Sequence, residues 1–151
     1  MEMNIILASD HAGYKIKKML KDYLVDLGGE LEDAGTYTED SVDYPDYAEV
    51  VGERVSKGEM ERGILICGSG LGMAIVANKF PNVRACPCHS VEEAKVAREH
   101  NDCNVLCLGA RFNTPEEIKE IVKTWYQTAF GQERHIKRLE KIHHLEQRLK
   151  R

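Results

Sequence analysis

Apolar residues along this chain fall into two recurring patterns, short unbroken runs and stripes spaced by three and four, and the two patterns alternate. Asn4 to Ala8 reads as a first strand. Ile16, Met19, Leu20, Tyr23, Leu24 and Leu27 then mark one face of a helix that stops at Gly28-Gly29. Leu31 to Ala34 is a second, weaker strand, and Pro45 at a first helical position opens a helix carrying Tyr47, Val50, Val51 and Val55. A third run from Gly63 ends at Cys67 and enters the glycine turn Gly68-Ser69-Gly70-Leu71-Gly72, with a helix beginning near Leu71. Val83 to Cys88 and Asn104 to Leu108 supply a fourth and a fifth strand.

Two further helices are announced by capping boxes. Ser90-Val91-Glu92-Glu93 starts one that reaches about His100, and Thr114-Pro115-Glu116-Glu117 starts another, striped by Ile118, Ile121, Val122, Trp125 and Tyr126. Strand and helix alternate throughout with short connections, which predicts an α/β fold with a parallel sheet covered by helices on both faces. The last segment differs. Ile136, Leu139, Ile142, Leu145 and Leu149 recur at helical spacing on an otherwise polar helix, so their stripe needs a surface to cover.

Length and charge refine this picture. At 151 residues the chain is expected to form one domain over 1–151. The first residues carry no basic or apolar leader, and no run approaches the roughly 20 apolar residues of a membrane span, so a soluble cytoplasmic protein without membrane partners is expected. The five cysteines (67, 86, 88, 103 and 107) form an odd set, for which reduced thiols are the default. Net charge is −4, yet 134–151 holds seven Lys/Arg against two Glu. A basic tail can bind nucleic acid. Its apolar stripe argues instead for packing on another subunit, and no nucleic-acid partner is expected.

Cys67 is the centre of the candidate chemistry. The glycine turn lets backbone N–H groups approach a ligand, and a helix start beside a cysteine favours its thiolate. Free cysteines are mostly small buried apolar residues, and the turn is what sets Cys67 apart. A cysteine phosphatase would need arginine where Met73 stands, and the lysine of a Walker loop and the third glycine of a dinucleotide fingerprint are both missing. An anion-stabilising loop with a thiolate at its edge remains, suited to proton abstraction from a carbon acid.

In open α/β sheets ligands bind beyond the carboxyl ends of strands. Those ends carry Ser9-Asp10-His11, Cys67-Gly68-Ser69 and Gly109-Ala110-Arg111. Asp10 alone reads as a helix cap, and His100-Asn101 as an ordinary helix end. Arg134 and Arg138 share one helical face, as a phosphate clamp would. The spacing of Cys86, Cys88, His89, Cys103 and Cys107 matches no common zinc site, so no metal is expected.

Six segments, Ser9-Asp10-His11-Ala12-Gly13, Asp43-Tyr44-Pro45, Cys67 to Gly72, Ala77-Asn78-Lys79, His100-Asn101-Asp102 and Gly109-Ala110-Arg111, together resemble the type B ribose-5-phosphate isomerases in order and spacing. The resemblance extends to Arg134-His135 and Arg138. It implies a Rossmann-like three-layer α/β/α sandwich with a five-stranded parallel sheet and an extended C-terminal helix. It also implies a homodimer or homotetramer with active sites shared between subunits, and a cofactor-free, metal-independent aldose–ketose isomerisation of ribose 5-phosphate and ribulose 5-phosphate through an enediolate.

Carried to matching positions, Cys67 is the base, Ser69 assists proton movement between oxygens, and His100 opens the furanose ring. The backbone of Gly68, Gly70 and Gly72 holds the enediolate. Asp10 and Asn101 position the sugar, Tyr44 lines the pocket, and His11, Arg111, Arg134 and Arg138 bind the phosphate. One variant of the family carries a glutamate base where this chain has Met73, and many relatives have threonine at Ser69. Sister enzymes act on allose or galactose 6-phosphate, so a six-carbon substrate is the alternative, and a non-catalytic sugar-phosphate-binding module is a second one.

Overall fold

The computed structural model describes residues 3–150; Met1, Glu2 and Arg151, used above for targeting and charge, lie outside the described residues. Strands β1 (Met3–Ser9), β2 (Gly29–Asp33), β3 (Arg62–Cys67), β4 (Ala85–Pro87) and β5 (Val105–Gly109) form one sheet in the order β2-β1-β3-β5-β4. All four neighbouring pairs are parallel. The helices are α1 (Tyr14–Asp26), α2 (Tyr44–Ser56), α3 (Leu71–Ala77), α4 (Val91–Asn101), α5 (Pro115–Gln127) and α6 (Arg134–Leu149), with a 3-10 turn at His11–Gly13.

Side chains of the central strands alternate between two cores. Ile5, Leu7, Ile64, Ile66, Leu106 and Leu108 pack with Leu20 and Leu24 of α1, Ala94 and Ala97 of α4, and Ile118, Ile121, Val122 and Trp125 of α5. Ile6, Ala8, Leu65, Cys67, Val105 and Cys107 pack with Ala48, Val51 and Val55 of α2 and Met73, Ala74 and Ala77 of α3. Burial on both faces is why these strands read as unbroken apolar runs. The three-layer α/β/α arrangement is the expected one.

Element boundaries moved where hydrogen bonding overruled pattern. α1 ends at Asp26, Gly28 turns the chain at φ +101°, and β2 starts at Gly29, opposite Met3, rather than at Leu31. β4 is confined to three residues of the expected 83–88. The Arg84 N–H goes to the Asn104 side chain at 2.7 Å, and Pro87 has no N–H to give. The box at Ser90 is half formed: Ser90 Oγ accepts from the Glu93 N–H, but the Glu93 carboxylate reaches past it to the His89 N–H at 2.7 Å. Thr114 and Glu117 form the complete reciprocal pair.

No helix among the described residues is long and apolar enough to cross a membrane. α6 touches its own chain through a buried His135 in its first turn and through Glu146, which accepts from the Asn82 N–H. Ile136, Ile142, Leu145 and Leu149 remain 41–65% exposed.

Candidate active site

From β1 the chain steps outward to β2 and then crosses back to β3 on the other side of β1. The carboxyl ends of β1 and β3 therefore flank a topological switch point, where such sheets open a crevice. Asp10 follows β1, and its N–H donates to the Ile66 carbonyl of β3 at 3.2 Å. Its buried carboxylate accepts from the Gly13 N–H at 3.1 Å. His11 Nδ1 accepts from the Val42 N–H at 3.1 Å, so the neutral ring carries its proton on Nε2.

Cys67 ends β3 and is 5% exposed. The Gly70 N–H donates to its Sγ at 3.1 Å. Gly70 sits at φ +79°, and a β-carbon there would lie 3.0 Å from the Leu108 carbonyl, so only glycine fits. α3 has only seven residues, so the donor that matters to Sγ is this specific N–H rather than a long helix dipole. The loop is clasped to the end of β5, with Ala110 N–H on the Cys67 carbonyl at 2.8 Å and Arg111 N–H on the Gly68 carbonyl at 3.0 Å.

Two other glycines are covered by side chains. The Arg111 guanidinium lies 3.2 Å from where a Gly68 β-carbon would be, and a β-carbon at Gly72 would overlap the Tyr44 ring. Ser69 Oγ accepts from the Leu71 N–H at 3.2 Å. Asp10, Tyr44, Cys67, Gly68, Ser69, Gly72, Arg111 and Phe112 line a cleft of about 340 Å³. It combines one carboxylate, one guanidinium, two hydroxyls (Tyr44 and Ser69) and a thiol.

The other four thiols lie outside the cleft. Burial pushes Cys88 up to about 12 and raises Cys103 and Cys107 well above the usual thiol value. Cys86 moves down, chiefly through its hydrogen bond with Cys103. Cys86, Cys88 and Cys103 belong to one core and Cys107 to the other. Among the described residues no group of three or more His, Cys, Asp or Glu converges as metal ligands would.

The remaining candidates lie elsewhere. His100 and Asn101 form the last turn of α4, which runs back against the strands and ends where β3, β4 and β5 begin: Arg84 Nε donates to the Asn101 carbonyl, and the Gly63 N–H donates to Asn104. Arg98, 4% exposed, anchors this end through Asp102 and the Cys103 carbonyl, each at 2.8 Å. The length of β5 alone puts about 13 Å between this edge and the Cys67 edge, at about 3.3 Å per residue.

His100 stacks on His135 of α6, ring centroids 4.3 Å apart, and exposed Arg134 and Arg138 flank His135 in sequence. Burial and the charges of His100, Arg134 and Arg138 hold His135 below its ordinary value of 6.5. Asn101 opens on a separate groove between β4 and α4. Sequence motifs alone thus mixed two clusters that one chain keeps apart. They also passed over Phe112 in the cleft, weighed His89 beside the loop only as a metal ligand, and gave His135 no role. The signal that could have pointed to His89 for the site itself is its place just past the carboxyl end of β4.

Residues 5–142 match the family model described as Ribose/Galactose Isomerase. Ribose-5-phosphate isomerase B of Escherichia coli is 42% identical over 144 residues, covering 95% of this chain and 97% of that protein. The structure of a ribose-5-phosphate isomerase B from Clostridium thermocellum is similar with a TM-score of 0.95 at 44% identity, covering 98% of this chain and all of that one. A ribose-5-phosphate isomerase B from Mycoplasma genitalium with bound ribulose-5-phosphate superposes with a TM-score of 0.92 at 39% identity, covering 95% of this chain and 96% of that one.

Proposed function

The chain belongs to the ribose/galactose isomerase family, and from that premise we infer that it interconverts ribose 5-phosphate and ribulose 5-phosphate. The observation that carries the mechanism is the Gly70 N–H on Cys67 Sγ, at the mouth of a cleft over the switch point. A thiolate there takes the proton from C2 of the open aldose and becomes a thiol. The electron pair moves onto the C1 oxygen as an enediolate, and the same proton returns to C1 as the ketone forms at C2. Ser69 moves the proton between the two oxygens.

Charge accumulates on oxygen during this step, and the free N–H groups of the Gly68–Gly72 loop are placed to hold it. Each such preorganised donor contributes about 3 to 4 kcal/mol in comparable sites. Asp10 and Tyr44 position the sugar, and His11 and Arg111 meet its phosphate. His11 presents Nε2–H because Val42 occupies Nδ1.

Ring opening needs an acid, and His100 stands on the far edge of its own sheet. In our reading two copies pair so that His100, Asn101, Arg134 and Arg138 of the partner subunit complete each cleft. The stripe of α6 supports this, since Ile136, Ile142, Leu145 and Leu149 stay largely exposed on their own chain and suit a second copy. Free thiols at all five cysteines suit a reducing, cytoplasmic setting.

The test is interconversion of the two pentose phosphates by purified protein with a chelator present throughout. Turnover is expected, and Cys67→Ala should lower it at least about 100-fold while leaving sugar-phosphate binding intact. Turnover retained in that variant refutes the role of Cys67. Turnover confined to allose or galactose 6-phosphate refutes the pentose assignment.

A further inference from the structure

We propose that His89, which does not line the cleft, is a positioning residue that locks the Ser69–Gly70 peptide so that its N–H points at Cys67 Sγ. The inference rests on reading Cys67 as the base. A carbonyl oxygen only accepts, so the 3.1 Å contact between His89 Nε2 and the Ser69 carbonyl fixes the ring as the Nε2–H donor. The N–H at the other end of that same planar peptide is the Gly70 group that donates to Cys67 Sγ, also at 3.1 Å. One rigid plane therefore carries the histidine on one edge and the thiol on the other.

A lock is needed here because of the residue that follows. Glycine takes φ of either sign with little cost, so the peptide before Gly70 can turn over and aim its carbonyl, rather than its N–H, at the sulfur. Such a flip would set a partial negative charge against the thiolate. Hydrogen bonding to the carbonyl opposes the flip and also strengthens the opposite N–H as a donor.

His89 is itself held on three sides. Its N–H donates to Glu93 Oε1 at 2.7 Å, its carbonyl accepts from Asn113 Nδ2 at 2.9 Å, and its ring lies 5.2 Å from that of Phe112. This also accounts for the half-formed capping box: the Glu93 carboxylate is spent on the backbone of His89 rather than on that of Ser90. A residue gripped in this way is built to hold something else still.

The test uses full-length His89→Ala, His89→Gln and His89→Asn. Glutamine places an amide N–H near the position of Nε2, whereas asparagine is too short. Two readouts are taken: alkylation of Cys67 by iodoacetamide, followed on its own peptide by mass spectrometry, and steady-state turnover of ribose 5-phosphate. Losing one oriented donor to a charged group should slow Cys67 alkylation and kcat in His89→Ala about tenfold, with KM within about twofold. His89→Gln should restore both, and His89→Asn should not.

Unchanged alkylation in His89→Ala, or a glutamine variant no better than asparagine, overturns the proposal. Should the alanine variant fail to fold, the glutamine and asparagine pair decides. If Cys67→Ala keeps its turnover, the catalytic reading fails, while alkylation still reports whether His89 orients the peptide.

Discussion

Separation of Cys67 from His100 within one chain leads to a prediction with a definite magnitude. The two lie at opposite edges of the sheet, with about 13 Å of β5 between those edges, so neither can serve the other's cleft within a subunit. Cys67→Ala and His100→Ala should each be nearly inactive alone. Coexpressed in equal amounts, they should form about half mixed dimers by random pairing. Each mixed dimer has one cleft with both substitutions and one with an intact Cys67 facing an intact His100. Turnover should therefore recover to about 25% of that of the unsubstituted protein.

The converse arrangement sharpens the test. A chain carrying both substitutions, coexpressed equally with the unsubstituted chain, spoils both clefts of every mixed dimer. Only dimers of two unsubstituted chains stay active, leaving about 25% of turnover rather than the about 50% that self-contained sites would give. Native mass spectrometry counts the mixed dimers, and the pentose phosphate assay reads the activity. Mixed dimers without recovery in the first experiment, or about 50% in the second, would refute a site shared between subunits.

Four further outcomes follow from individual contacts. In Gly109→Ala the new β-carbon would lie 2.7 Å from the Ser69 carbonyl, which is backbone and cannot rotate away; urea unfolding should show a loss of about 1 to 3 kcal/mol, with kcat lowered as well. Lys17, 1% exposed, donates to Asp33 at 2.6 Å and to the Thr36 carbonyl at 2.5 Å. Lys17→Met should cost about 3 to 5 kcal/mol on the same unfolding measurement, because both acceptors lose a buried partner.

Burial alone would raise Asp33, but hydrogen bonds from Lys17, the Gly35 N–H and Lys21 together bring it below its ordinary 3.8. Its stabilising contribution is therefore full above that value and lost on further acidification, and this acid-sensitive part should shrink in Lys17→Met. Finally, an anion held by Arg134 and Arg138 would offset the charges that keep His135 low, so inorganic phosphate should raise its titration midpoint in an NMR pH series; a midpoint that does not move would place the phosphate elsewhere.

Local chemistry made much of this protein legible in its sequence. Apolar periodicity showed the α/β alternation, the box at Thr114 marked the start of α5, and the glycines after Cys67 announced a tight turn, because each feature depends on residues within a few positions of one another. Cys67, Gly68, Ser69, Gly72, Asp10, Tyr44 and Arg111 do meet at one cleft. The strand-end rule could anticipate most of that meeting, since β1, β3 and β5 all finish on the same edge.

What depended on distant partners could be decided only by the fold. β4 shortened because Asn104, twenty residues on, takes the N–H of Arg84. His89 gained its place from a carbonyl twenty residues earlier. Above all, the sheet's direction put the end of α4 opposite the end of β3. The sequence by itself determined which residues could do chemistry, because residue type and local backbone settle that. Tertiary structure alone decided which of them share a cleft, because strand order and helix direction fix distances that no local spacing encodes.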